Sequence, residues 1–290
     1  MKSDNQKWIL LGILAIVWGS SFILMKKALV GLSPIQVGSL RVLIAGGFLL
    51  IVGFKSLKEI QKRHWKHIVS TALLGTFFPV FLFSYAVNGI DSSIVSILNS
   101  LTPFNTLLFG AFVFGFTFKK GQLVGIFIGL IGTLILILKG ADLNPNQNYW
   151  YSILILIASV GYAFNVNIVK KHLHDLSAIS IVAGNFLLLL IPAFIVLFCT
   201  GFFTEFEPTK TNLDSLGYIT VLAIVGTGVA KVLFNKMVHF ATPIFASSVT
   251  YLIPIVAIFW GILDGEKLSF TQLIAAVIIL VGVYLVNKKK

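Results

Sequence analysis

Two cationic side chains stand where charge is costly. Arg41 follows Ser33-Pro34 inside the apolar run 35–54, and Lys231 lies in the run 215–237, one turn after Gly226-Thr227-Gly228. A charge within a long apolar segment has to face a partner, a watery cavity or an interface. The planar fork of a guanidinium suits a carboxylate, and a buried ammonium pairs, loses its proton or meets water. No Asp or Glu falls inside any of the apolar runs, so an internal acid partner for Lys231 is not expected and an anionic or zwitterionic ligand becomes the attractive one. The competing readings are structural. Arg41 can snorkel or bind backbone carbonyls, the role favoured for it, and Lys231 can snorkel to a segment end about two turns away, level with the ligand reading. Two internal cations and no internal acid also disfavour a pump for cationic drugs.

Uncharged polar residues are more numerous in these runs. Ser20, Ser21, Asn99, Ser100, Thr102, Asn105, Asn165, Asn167, Asn185, Ser247, Ser248, Thr250 and Tyr251 must turn away from lipid, and any one of them serves more readily as helix-to-helix glue than as a ligand group. Those beside Pro103 and Pro254 are better placed, because a proline frees a backbone carbonyl and bends the helix. The expected binding set is Trp18, Ser21, Tyr85, Asn99, Pro103, Tyr162, Asn165, Lys231, Tyr251 and Pro254, with Arg41 a structural or anion-binding residue. There is no H-E-x-x-H, P-loop, G-x-S-x-G or dinucleotide fingerprint, so the chain reads as a non-enzyme with no cofactor and no metal. His172 and His174, one residue apart with no nearby cysteine, are a weak metal signal.

The segments that position these residues dominate the chain. Of its 290 residues 57% are hydrophobic and 11% charged, whereas soluble domains run near 45–50% and about 25%. The apolar runs 8–25, 35–54, 67–87, 92–118, 121–138, 150–169, 177–203, 215–237, 243–263 and 268–286 mostly have the length of a spanning helix. The first run is long and lacks a cleavage site, so it reads as a retained helix rather than a signal peptide. Ten spans leave only short connectors, which excludes a separate catalytic head. With the first end on the cytoplasmic side, fifteen Lys/Arg lie there against five on the other, so both termini are expected in the cytoplasm of a cell-membrane protein. The net charge of +12 has no basic domain to serve nucleic acid. The expected partners are lipid and a small-molecule substrate.

The chain also repeats. Leu101-Thr102-Pro103 matches Leu252-Ile253-Pro254 and Gly110 matches Gly261 at an offset of 151, and Gly132 matches Gly282 one residue short of it. Gly19-Ser20-Ser21-Phe22 corresponds to Gly161-Tyr162-Ala163-Phe164, and Leu32-Ser33 to Leu176-Ser177. Two five-helix halves, 1–140 and 141–290, follow. An odd number of crossings turns the second upside down, so the expected fold is all-α and integral to the membrane, ten helices as two inverted repeats around a central cavity. Gly121, Gly125 and Gly129 recur every four residues, a spacing for close helix contact within the fold that argues poorly for a dimer.

Trp18-Gly19-Ser20-Ser21-Phe22, Ser33-Pro34 with Arg41, and Thr242 through Pro254 to Gly265-Glu266-Lys267-Leu268 and Gly282-Val283 resemble the EamA-type carriers of the drug/metabolite transporter superfamily. The first half departs where the family commonly has Gly-Glu after the fourth helix; here the chain reads Phe116-Thr117-Phe118-Lys119-Lys120. The resemblance implies secondary transport of a small metabolite, commonly export of amino acids or related compounds, by alternating access. A nucleotide-sugar or sugar-phosphate anion exchanger is the alternative within that class. A non-transporting membrane enzyme or sensor is the alternative outside it, with Asp264 and Glu266 thin support for catalysis.

Overall fold

The computed structural model describes residues 2–117, 120–143, 147–266 and 268–287, and every regular element among them is helical. Eight helical stretches are long and apolar enough to cross a membrane: α1 Gln6–Ala28, α2 Pro34–Glu59, α3 Lys62–Gly89, α4 Ser92–Phe112, α6 Tyr149–His172, α7 Ala178–Phe198, α8 Lys210–Phe240 and α9 Pro243–Leu263. Two more, α5 Lys120–Leu143 and α10 Phe270–Asn287, carry shorter apolar stretches and complete the expected ten. The expected fourth run ends early, at Phe112, and Gly115 then takes φ 75°, a left-handed turn open to glycine. Phe118, Lys119, Lys267 and Lys288–Lys290, used in reading loop chemistry and charge, lie outside the described residues.

Caps explain part of the repeat. Ser33 caps α2, accepting from Gln36 N while Gln36 Oε1 accepts from Ser33 N, and Ser177 caps α7 by accepting from Ser180 N. The matched Leu-Ser pairs are therefore helix starts.

The connectors sort onto two faces. On one, Lys26 reaches Glu266, Gly31 N donates to Ser215 Oγ, and Asp91 N donates to Gln147 Oε1. On the other, Arg63 pairs with Asp175, Lys171 donates to Phe114 O, and Trp8 packs on Phe245. We call the second the N-terminal face and the first the distal face.

Glycines set the helix contacts. A Cβ at Gly19 of α1 would fall 2.5 Å from Val256 Cβ of α9, and one at Gly161 of α6 would fall 2.5 Å from the Leu74 carbonyl of α3. The equivalent glycines thus seat the first helix of each half against the other half. α5 and α10 pack along Gly125, Gly129, Gly132 and Gly282, where backbones touch. The surroundings of Gly121 lie outside the described residues. Phe127, Leu134, Val277 and Val281 face outward from this pair, as expected of lipid-facing positions.

Candidate functional site

Two interruptions of regular helix shape the interior. Within α3, Leu73–Phe77 widens to a π-turn, and within α8, Leu222–Val229 does the same at the repeat-equivalent place. A π-turn leaves carbonyls short of their usual donors, and such turns concentrate at functional sites. Gly75 and Gly226 are matched residues at the offset of 151. Trp18 Nε1 donates to Gly226 O at 2.9 Å, and Lys231 Nζ donates to Gly75 O. A side chain at either glycine would clash, with Asn165 at Gly75 and with Ser21 at Gly226.

The prolines act in the second pair of interruptions. Each stands in the first turn of a renewed helix, Thr102–Phe112 and Ile253–Leu263, after a break at Ser100-Leu101 and a 3₁₀ turn at Ser248–Tyr251. A proline cannot serve the carbonyl four residues before it. Those two carbonyls are taken by hydroxyls: Thr102 Oγ1 donates to Asn99 O at 2.8 Å, and Ser100 Oγ donates across to Thr250 O at 3.0 Å. The second bond joins α4 to α9, hence one half to the other.

Between these four interruptions lies a cavity. Its wall includes Trp18, Ser21, Phe22 and Met25 of α1, Arg41 of α2, Val80 and Phe83 of α3, Asn99 and Thr102 of α4, and Tyr162 and Asn165 of α6. Asn185 of α7, Thr227, Lys231 and Asn235 of α8, and Ser247, Thr250 and Ile253 of α9 add further polar and apolar lining. About 100 Å³ is open to the centre of a water molecule, against roughly 10–15 Å³ for a single water, so a small solute fits.

Arg41 is buried and faces inward: its Nε donates to Thr227 Oγ1 at 2.7 Å, and Thr227 in turn bonds Leu222 O. Its partner is thus a side-chain hydroxyl, not lipid headgroups or backbone. Lys231 likewise turns into the cavity, toward the α3 π-turn, rather than to the end of its helix. Among the described residues, no carboxylate lines this wall. Two basic side chains on one apolar-walled space, with amide and hydroxyl groups around them, can hold a small molecule by its carboxylate or phosphate.

Six of the ten expected binding residues line the cavity, namely Trp18, Ser21, Asn99, Tyr162, Asn165 and Lys231, and so does Arg41. Tyr85, Pro103, Tyr251 and Pro254 do not. Tyr85 is two residues beyond Phe83, about 200° round the helix, so only one of the two can face inward. The prolines are buried in the first turns after the breaks while their neighbours Asn99, Thr102, Thr250 and Ile253 face the space. Tyr251 packs into the apolar cluster on the distal side. Thr227 and Asn235 were absent from the expected set. They stand four residues before and after Lys231, on the same helical face, and that spacing was the available signal.

Glu266 shows the other unexpected geometry. Its carboxylate, 1% exposed, accepts from Ser92 N and Oγ, Ser93 N and Oγ, and Lys26 Nζ, at 2.6–3.1 Å. Asp264 pairs with Lys26 at 2.8 Å and with Lys27. Burial pushes the Glu266 acid upward, but the bonds from Ser93, Lys26 and Ser92 and the Lys26 charge outweigh it and hold the group below the ordinary glutamate value. These bonds clamp the Glu266 loop onto the N-terminus of the Ser92–Asn99 helix.

Comparison with known proteins matches residues 6–138 and 149–288 to the EamA-like transporter family. An uncharacterized inner membrane transporter of Escherichia coli K12, YedA, is 27% identical over 96% of this chain and 89% of its own length. A probable amino-acid metabolite efflux pump of Salmonella typhimurium is 26% identical over 94% of this chain and 92% of its own. A protein of known crystal structure superposes with TM-score 0.68 at 16% identity, covering 97% of this chain and 96% of that one, which speaks for the fold alone.

Proposed function

The chain belongs to the EamA-like transporter family and is a multi-pass membrane transporter, and from that premise we propose that it exports small amphipathic metabolites, amino acids or related compounds, across the cell membrane. The halves 1–140 and 141–290 rock as inverted repeats about the cavity, opening it to each side in turn, with both termini in the cytoplasm. Arg41 and Lys231 hold the substrate carboxylate, Asn99, Asn165 and Ser21 bond its polar groups, and Trp18 and Tyr162 form the apolar wall. The observation that carries this reading is the pair of cations lining one cavity without an acid in its wall. The efflux-pump name of one relative points to the same substrate class.

Counterflow in proteoliposomes tests it. Vesicles loaded with unlabelled solute are assayed for labelled uptake across a panel of neutral and aromatic amino acids, sugar phosphates and a quaternary-ammonium drug. Amino-acid exchange that falls at least tenfold in Lys231→Ala, with protein abundance near normal, is the expected outcome. Exchange of the sugar phosphates instead would assign the same cations to phosphate and overturn the amino-acid reading. Exchange of the drug alone would overturn the charge argument itself.

A further inference from the structure

The loops that follow α4 and α9 are built alike and end differently. Gly115 and Gly265 both take left-handed φ, 75° and 84°. Phe116 N donates to Gly110 O and Glu266 N donates to Gly261 O, each at 2.9 Å, and Gly110 and Gly261 are matched residues. Phe116 and Glu266 therefore occupy one position in the two halves. Counting back from the matched Leu32-Ser33 and Leu176-Ser177 sets Lys26-Lys27 opposite Lys170-Lys171. At the offset of 151, Ser92-Ser93 stand opposite Pro243-Ile244.

On the distal face all parts of a clamp are present. Glu266 and Asp264 come from the second half, and Lys26, Lys27, Ser92 and Ser93 from the first. On the N-terminal face the same positions hold no acid and fewer donors. Phe116 replaces the glutamate, Pro243 has no N–H to give, and Ile244 has no hydroxyl. The lysines there settle for backbone carbonyls: Lys170 donates to Val238 O and His239 O, and Lys171 to Phe114 O.

The N-terminal face has cross-half polar contacts of its own, Asp175 with Arg63 and with the buried His64, and Glu59 with Ser180. They differ in exposure. Arg63 is 67% and Asp175 33% exposed, whereas Glu266 is 1% exposed and takes five hydrogen bonds. Exposed ion pairs contribute little in water, while a buried carboxylate that loses its donors pays the full cost of desolvation. Opening the distal face has to pull Glu266 away from Ser92 and Ser93; among the described residues, the carboxylate that opening the N-terminal face would separate from its partners, Asp175, is already a third exposed to water.

We propose that the Glu266 clamp is a one-sided gate, which joins the two halves across the distal face and makes distal-closed, N-terminal-open the resting state of the carrier. The gate rests on the alternating-access reading above, and its asymmetry arises from Glu266 and Phe116 at one structural position. Its effect is on which face the empty cavity opens to, not on which solute binds.

Sidedness of thiol labelling tests the gate. Cys199, exposed at the distal end of α7, marks the orientation of right-side-out and inverted vesicles in the natural chain. In a Cys199→Ser background, Met25→Cys places a reporter on the cavity wall, and a membrane-impermeant maleimide is applied from each side. The expected result is labelling mainly from the N-terminal face, with Glu266→Gln raising distal labelling at least fivefold. Lys26→Met leaves the serine cap intact and is expected to give a smaller rise in the same direction. If both variants elute as folded protein and keep the original sidedness, the gate is overturned and Glu266 is only a helix cap. Counterflow on the same preparations separates the two claims. Exchange by the parent protein with unchanged sidedness in the variants sinks the gate alone, whereas no exchange of any solute by the parent sinks the transport reading beneath it.

Discussion

Arg41 Nε and Thr227 Oγ1 meet at 2.7 Å between α2 of the first half and the π-turn of α8 in the second. Thr227 also bonds Leu222 O, five residues earlier, a bond that exists because the helix is widened there. The π-turn thus fixes the hydroxyl, and the hydroxyl fixes the guanidinium. Thr227→Val keeps the shape and removes the acceptor. A hydrogen bond to a charged group is worth about 1.5–3 kcal/mol, so KM for a carboxylate substrate should rise about 10- to 150-fold in counterflow, with Thr227→Ser close to the parent. A Thr227→Val protein with unchanged KM would remove Arg41 from substrate recognition.

Much of this was legible in the sequence, and the limits have physical causes. The spans follow from runs of apolar residues, and the family from Trp18-Gly19 and Gly265-Glu266. The cost of charge in lipid showed that Arg41 and Lys231 need a partner, but it favoured snorkelling or a backbone contact for Arg41 and left Lys231 evenly divided; only the fold turns both toward the cavity. Pro103 and Pro254 stand off the cavity wall while their neighbours line it, because the opening they make lies in the carbonyls they abandon, Asn99 O and Thr250 O, and not in their own rings. That Tyr85 stands off this wall was not legible, because facing depends on a helix phase that a nearly all-apolar segment does not reveal; the sequence 80–87 has no polar stripe to set it. The π-turns carry no local signature beyond Gly75 and Gly226, and they re-phase everything after them. The role of Glu266 depends on Lys26, 240 residues away, and on serines at the start of another helix, a juxtaposition only the fold supplies.

Gly161 is the point where α6 lies directly on the α3 π-turn. Adding one methyl there places it 2.5 Å from the Leu74 carbonyl oxygen, a backbone atom that cannot rotate away. Gly161→Ala should therefore destabilise the protein by about 1–3 kcal/mol, the usual range for overpacking. Thermal unfolding in detergent, followed by size-exclusion chromatography, should show a lower Tm. Gly12→Ala, with no atom within 4 Å of the new carbon, is the control and should unfold at or above the parent temperature. Equal Tm values for the two variants would show that α6 can slide freely at this crossing.

The α5–α10 pair makes a similar prediction with a different readout. Gly282 meets the backbone of Gly125 and Gly129, and Gly132 meets the Ile279 backbone nitrogen and side chain, so the helices touch closely along a strip of glycines. Gly282→Leu should wedge the pair apart. Cysteines at Leu134 and Val277, both outward-facing, give spin-label positions on the two helices. The interlabel distance distribution should widen and lengthen in Gly282→Leu while counterflow by the rest of the molecule persists, because none of these residues lines the cavity. Loss of counterflow with an unchanged distance would instead tie the pair to the transport cycle.

Glu266 gives the pH prediction, and its sign is fixed by the direction of its shift. The folded protein holds this carboxyl below its ordinary value of 4.5, because the donors from Ser93, Lys26 and Ser92 prevail over burial. A carboxylate depressed by folding contributes stability that is fully present above the unfolded value and is lost as pH falls through the folded one. The groups facing it are Lys26, which stays cationic across the range, and Asp264 and Asp91. Asp264 is itself held low: burial opposes the shift, and the bonds from Lys26 and Lys27 outweigh it. Asp91 is raised by burial, so it neutralises first on acidification and leaves Glu266 better stabilised as an anion. The Tm difference between the parent and Glu266→Gln should therefore be flat from neutral pH down to about 5 and close only below about 4.5. A difference that vanishes near pH 6 would mean that Glu266 titrates above its ordinary value, with burial dominating, and that the serine donors do not hold it as the geometry requires.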